Sequence, residues 1–207
     1  MIILKRLVQV LISITIGLVL LSGCSWLYEI GSEPEAKNGN DLSAAEMEII
    51  PFEAVNQHGD TVTDKDLEGD YWMANMIFTR CPTVCNLMTP NMLNLQGKLQ
   101  EEGLDVRLVS FTVDPEFDGP EQLKKYGDDY GADYSSWDFL TGYTQEEIKE
   151  IGKESFKSVV EKDPENEDII HATTFFLINP EGQVIRSYDG LENDPEPIVN
   201  DLKQLME

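Results

Sequence analysis

The chain has 207 residues, 41% hydrophobic and 26% charged, proportions that suit one globular domain of ordinary size. Its charges are lopsided: 15 Lys+Arg stand against 39 Asp+Glu, a formal net charge of −24 and a pI near 4.2. Such a surface repels nucleic acid, which is therefore not an expected partner, and it favours a monomer. Three cysteines are too few for a disulfide-stapled miniature, and two histidines, His58 and His171, exclude a large zinc cluster.

Residues 1–23 read as an export signal. Lys5 and Arg6 form its positive start, and Leu7 to Leu21 is an uncharged apolar run. Leu21-Ser22-Gly23-Cys24 then has the small residues and the cysteine of a bacterial lipoprotein processing site, with Cys24 the lipidated new terminus. An uncleaved anchor from Leu7 to Tyr28 is the alternative, and either way the rest sits at the extracytoplasmic face of the cell membrane. Residues 24–47 are rich in Gly, Ser, Glu, Asn and Ala, with little apolar periodicity. They read as a lipidated flexible tether, and residues 48–207 as the folded domain.

Phe52 to Val62 has the pattern of a hairpin turning at Gln57-His58-Gly59-Asp60, which makes His58 a solvent-exposed turn residue. Tyr71 to Thr79 reads as a buried strand, followed at once by Cys81-Pro82-Thr83-Val84-Cys85. Met88, Met92, Leu95 and Leu99 share one helical face, with Gly103 as the stop, and Val106 to Val113 forms a second buried strand. Strand, helix, strand with a short return favours parallel pairing. Pro120 to Tyr130 is a further helix, and Thr144 with Glu147 forms a capping box that opens another. Thr173 to Ile178 and Val184 to Tyr188 make a hairpin around Pro180-Glu181-Gly182, and Pro195 to Met206 closes the chain as a helix. Helices on both faces of a mixed central sheet, with cysteines at a strand–helix junction, predict an α/β thioredoxin-like fold carrying an N-terminal hairpin.

Cys81 and Cys85 lie about one helical turn apart, within reach of a redox disulfide or of one metal ion. A helix N-terminus favours thiolate over thiol, and a thiolate is both nucleophile and soft metal ligand. A purely structural disulfide is the bland alternative. In a thioredoxin-like sheet the loop before the Thr173 strand faces the cysteine loop, which would let His171 close a Cys2His set; a structural loop histidine is the alternative. Two thiolates and an imidazole suit Cu(I) and Cu(II) better than zinc, which wants a fourth protein ligand.

Three motifs in order resemble the Sco/SenC family of copper-handling, thioredoxin-like proteins of cytochrome c oxidase assembly. They are Phe78-Thr79-Arg80-Cys81-Pro82-Thr83-Val84-Cys85, Ser110-Phe111-Thr112-Val113-Asp114-Pro115, and the run from His171 to Gly182 that begins His171-Ala172-Thr173-Thr174. The resemblance covers roughly residues 50–207. It implies copper ligation by Cys81, Cys85 and His171, and it places Asp114 beside the metal or at a partner contact; a plain turn carboxylate is the alternative. One departure is Asn86, where many members carry proline, a change that loosens the first helical turn.

The reading that follows is a copper metallochaperone rather than an enzyme, maturing the CuA site of cytochrome c oxidase subunit II at the same membrane. A protein that reduces its thiols is a second implied partner. A thiol–disulfide oxidoreductase acting on the target's cysteines before metal arrives is the alternative, and under it His171 is dispensable. A peroxidase of the peroxiredoxin type ranks last, because only Arg80 hints at its pattern. The acidic run from Glu161 to Asp168 either steers a cation or is a solvated loop.

Overall fold

The structure, a computed structural model, describes residues 39–81, 85–164 and 168–206. The chain divides into two compact units, Met1–Lys37 and Asn38–Glu207, and only the second is described. The export signal, the lipidation site at Cys24 and most of the tether therefore lie outside the described residues. Among the described residues no helix is long and apolar enough to cross a membrane.

Among the described residues ten strands and four α-helices follow in order, with one 3-10 turn (Asp64–Asp66). They are β1 (Asn40–Asp41), β2 (Glu53–Val55), β3 (Thr61–Thr63), β4 (Trp72–Ile77), α1 (Cys85–Glu102), β5 (Arg107–Thr112), α2 (Pro120–Tyr130), β6 (Trp137–Leu140), α3 (Gln145–Phe156), β7 (Glu161–Lys162), β8 (Ile169–Ile170), β9 (Thr174–Ile178), β10 (Val184–Asp189) and α4 (Glu196–Leu205). The central sheet has six strands in the order β1-β10-β9-β4-β5-β6. The β4, β5 and β6 strands run parallel, while β9 pairs antiparallel with both β4 and β10. This mixed sheet with flanking helices is a thioredoxin-like fold.

The strand alternation decides which helix covers which face. From β4 and the residue after it, Trp72, Ala74, Met76 and Phe78 point to one core, with Ile148, Ile151 and Phe156 of α3. Met73 and Ile77 point to the other, with Met88, Met92, Leu95 and Leu99 of α1, Leu123 of α2 and Leu202 of α4. The helical stripe read from the sequence on α1 is thus the face that meets the sheet. Thr144 caps α3 as expected, its hydroxyl accepting from the Glu147 N–H while the Glu147 carboxylate accepts from the Thr144 N–H. Gly103 ends α1 in the left-handed region, φ 67°, and Gly182 turns the last hairpin at φ 80°.

Two features of the fold leave no mark in the sequence pattern. The ordered domain begins earlier than residue 48: β1 pairs with β10, Met47 is buried, and Glu48 bridges Gln183. The composition of this stretch hides it, because an edge strand is held by backbone hydrogen bonds that need no apolar repeat. The strand β6 was not read from the sequence either. Asp138 interrupts its apolar run, and that carboxylate is taken up by Arg107 at 2.8 Å.

Phe111 sits at the centre of one core, its ring 5.3 Å from Phe52, 6.0 Å from Phe156 and 6.5 Å from Tyr143. Phe111→Ala should cost about 3–5 kcal/mol in a denaturant melt. Three buried tyrosines add a pH dependence. Burial raises the hydroxyls of Tyr126, Tyr143 and Tyr188 above their ordinary value near 10, and the Asp201 carboxylate adds to the effect at Tyr188. A raised native value means stability is fully present below the unfolded-chain pKa and is lost as pH rises past it. Melts should therefore show stability falling from about pH 9 upward, and Tyr143→Phe should shallow that fall.

Candidate functional site: a dithiol beside an imidazole

Strand β4 ends at the loop that carries Cys81, and α1 opens at Cys85; residues 82–84 between them are not described. The antiparallel neighbour β9 begins at the same end of β4, with Ala74 opposite Phe176 and Trp72 opposite Ile178. His171, three residues before β9, is therefore delivered to the end of β4 where the cysteines lie. Its ring packs edge-on to Phe78 at 5.8 Å, and its Nε2 lies 4.0 Å from Cys85 Sγ.

Hydrogen bonding sets the state of the imidazole. His171 Nδ1 is 2.9 Å from the Ala172 carbonyl oxygen, which can only accept, so Nδ1 carries the proton. The lone pair of a neutral ring then belongs to Nε2, the atom facing the Cys85 sulfur. This is the tautomer a metal-binding histidine needs, held by a backbone carbonyl as such ligands usually are.

The thiols are not equivalent. Cys85 is 2% exposed, whereas Cys81 is half-buried. The backbone N–H of Cys85, at the start of α1, donates to Cys81 Sγ at 3.4 Å, so the helix end favours charge on Cys81. For Cys85 the effect is reversed. The adjoining Cys81 sulfur, then burial and the charge of Asp168, push its thiol far above the ordinary range. The expectation that the helix terminus would favour thiolate thus does not hold for Cys85. No disulfide joins Cys81 to Cys85 in this structure.

The remaining residues singled out in the sequence fall as follows. Asp114 is fully buried and its Oδ2 accepts from Arg80 Nε at 2.7 Å, so it supports the residue next to Cys81. Asn86 is exposed, its side-chain oxygen accepting from Tyr130 O–H at 3.2 Å, so the missing proline is replaced by a tie to α2. His58 lies in the exposed β2–β3 turn against Tyr134, rings 5.0 Å apart, and takes no part in the site. Sequence reasoning missed Asp118. That carboxylate, also fully buried, accepts from the Thr79 N–H at 3.0 Å and from the hydroxyls of Thr79 and Thr112, both at 2.5 Å. Its only sequence signal is an acid four places after Asp114, a spacing common in any solvated turn.

A thioredoxin-like sheet presenting a dithiol to an imidazole defines a protein of the thiol- and metal-handling class. The family model SCO1/SenC matches residues 40–207, and the chain belongs to that family. The SCO1 protein homolog of Bacillus subtilis (strain 168) is 48% identical over 158 residues, 75% of this chain and 81% of that one. Among solved structures, BsSco is described as a member of the Sco family of cytochrome c oxidase assembly proteins with a disulfide switch. It matches with TM-score 0.72 and 45% identity over 80% of this chain and 95% of that one. Arabidopsis thaliana ScoI, solved with copper bound, matches with TM-score 0.65 and 26% identity over 76% and 97% of the two chains.

Exposure and protonation point the same way for reactivity. At neutral pH a limiting dose of iodoacetamide should label Cys81 well before Cys85, read by mass spectrometry of the peptides. Equal labelling, or Cys85 first, would contradict the inequivalence.

Proposed function

We propose that this protein is a copper-binding assembly factor that takes up copper through Cys81, Cys85 and His171 and delivers it to the CuA site of cytochrome c oxidase subunit II. The observation that carries the reading is the Cys85 Sγ–His171 Nε2 approach of 4.0 Å between residues 86 positions apart. A structural disulfide has no use for an imidazole lone pair aimed at one of its sulfurs. Two soft sulfurs and one borderline nitrogen form a donor set suited to copper. The copper-bound relative and the oxidase-assembly relative support the same cargo and the same process.

Each part of the chain then has a task. His171 offers a ready lone pair, Cys81 offers the more accessible sulfur, and Cys85 gives up its proton when the metal arrives. Uptake therefore releases protons, and apparent affinity falls as pH falls. A lipid on Cys24 would hold the domain at the extracytoplasmic face of the membrane that contains the oxidase, where proximity raises the rate of ligand exchange.

The second reading, a thiol–disulfide oxidoreductase that reduces the target's cysteines, is supported by the half-exposed Cys81 with Cys85 behind it, an attacking and a resolving thiol. The two roles are compatible if oxidation of Cys81 and Cys85 to a disulfide blocks copper uptake.

A copper titration of the reduced full chain in detergent tests the reading, with sulfur-to-Cu(II) charge-transfer absorbance and thermal midpoint recorded together. One equivalent should bind, and at ~1,000 times the dissociation constant it should add about 4 kcal/mol of stability. Cys81→Ser, Cys85→Ser and His171→Ala should each weaken binding. If His171→Ala binds copper like the parent while disulfide exchange with a target peptide persists, the oxidoreductase reading stands instead.

A further inference from the structure

The turn between β5 and α2, residues 114–118, touches both arms of the site. On the cysteine side it grips the two residues that precede Cys81. Asp118 holds the backbone N–H and the hydroxyl of Thr79, and Asp114 Oδ2 pairs with Arg80 Nε at 2.7 Å. The Arg80 guanidinium also lies over the Phe117 ring, 4.6 Å from its centre. On the histidine side the same turn meets Lys162 of β7, whose ammonium is 2.7 Å from Glu116 Oε2 and 3.9 Å from Asp114 Oδ1. Lys162 pairs with Ile169 of β8, and His171 follows Ile170 directly.

The energetics favour a rigid support. Asp118 is anchored from β5 by the Thr112 hydroxyl, and its own N–H donates to the Asp114 carbonyl at 2.9 Å, which closes the turn. Asp114 Oδ1 is buried without a hydrogen bond, so the ammonium of Lys162 is its compensating charge on that side. Moving the β7–β8 hairpin away would leave that oxygen uncompensated. The cysteine arm and the histidine arm are thus tied to one another through a single buried carboxylate pair.

We propose that residues 114–118 form a positioning clamp that sets the Cys81 arm against the His171 arm, with Asp118 its anchor on the cysteine side and Lys162 its contact on the histidine side. The proposal rests on the copper reading for its metal readout, but not for its redox readout. Asp118 acts through Thr79 and Lys162 through the β7–β8 hairpin, so both are positioning residues.

The test uses Asp118→Asn, Arg80→Gln and Lys162→Gln in the full chain. For each, the thermal midpoint, copper affinity with its charge-transfer band, and the Cys81–Cys85 dithiol–disulfide equilibrium in a glutathione buffer are measured. Asp118→Asn and Arg80→Gln should change that equilibrium constant and weaken copper, each by about tenfold, with a shifted band. Lys162→Gln should weaken copper to a similar degree and leave the dithiol equilibrium at its parent value, because only the metal needs both arms. Arg80→Gln alters a partly exposed side chain, so it decides the cysteine side if Asp118→Asn fails to fold. Lower midpoints with unchanged copper binding and unchanged dithiol equilibrium would make the turn merely structural and overturn the clamp. A parent chain that binds no copper would sink the copper reading. The clamp would then stand or fall on the dithiol equilibrium of the Asp118→Asn and Arg80→Gln variants.

Discussion

The antiparallel pairing of β9 with β4 is the constraint on which the site depends. A parallel neighbour would send its leading loop to the far end of the sheet, away from the cysteines. Because β9 runs opposite to β4, its approach segment arrives where β4 ends, and His171 meets Phe78 and Cys85 there. The helix α1 then lies on one face of the sheet with its first turn aimed at the same corner. A histidine and a cysteine far apart in the chain become neighbours through sheet topology alone.

That corner is chemically asymmetric, and the asymmetry comes from burial. Both sulfurs are at the start of one helix, yet among the described residues only Cys81 receives a helix N–H, while Cys85 is packed among core side chains. A buried neutral thiol behind a more accessible partner suits a site that must stay loaded with protons until something displaces them. Copper would displace both, and disulfide formation would remove the same protons by oxidation. The same geometry would suit both metal uptake and redox control.

The acidity of the chain works around this site rather than in it. Most of the acids are exposed, and several pair with lysines one helical turn away, such as Lys124 with Asp128 and Lys125 with Asp129. Pairs of that kind contribute little to stability, and the net excess of negative charge instead discourages self-association. The two acids that matter locally, Asp114 and Asp118, are both fully buried. Composition gives no way to tell them from the other 37.

Local sequence was sufficient wherever a short-range rule decides structure. The stripe on α1, the Thr144–Glu147 cap, the two hairpins and the cysteine pair at a strand end are each set by side chains within a few positions of one another. Periodicity and capping chemistry make them legible, and the ordered motifs pointed to the family. The order of strands in the sheet, the early start at Asn40, the strand β6 and the grip of Asp118 on Thr79 were not legible. Each depends on backbone pairing or on a buried polar contact between distant residues, and such contacts leave no periodic trace. The chain by itself determined its helices, its central buried strands, its dithiol and its candidate histidine. The tertiary structure alone decided that the imidazole lone pair faces Cys85 and that one thiol is buried while the other is reachable, because distance, burial and tautomer are properties of packed neighbours.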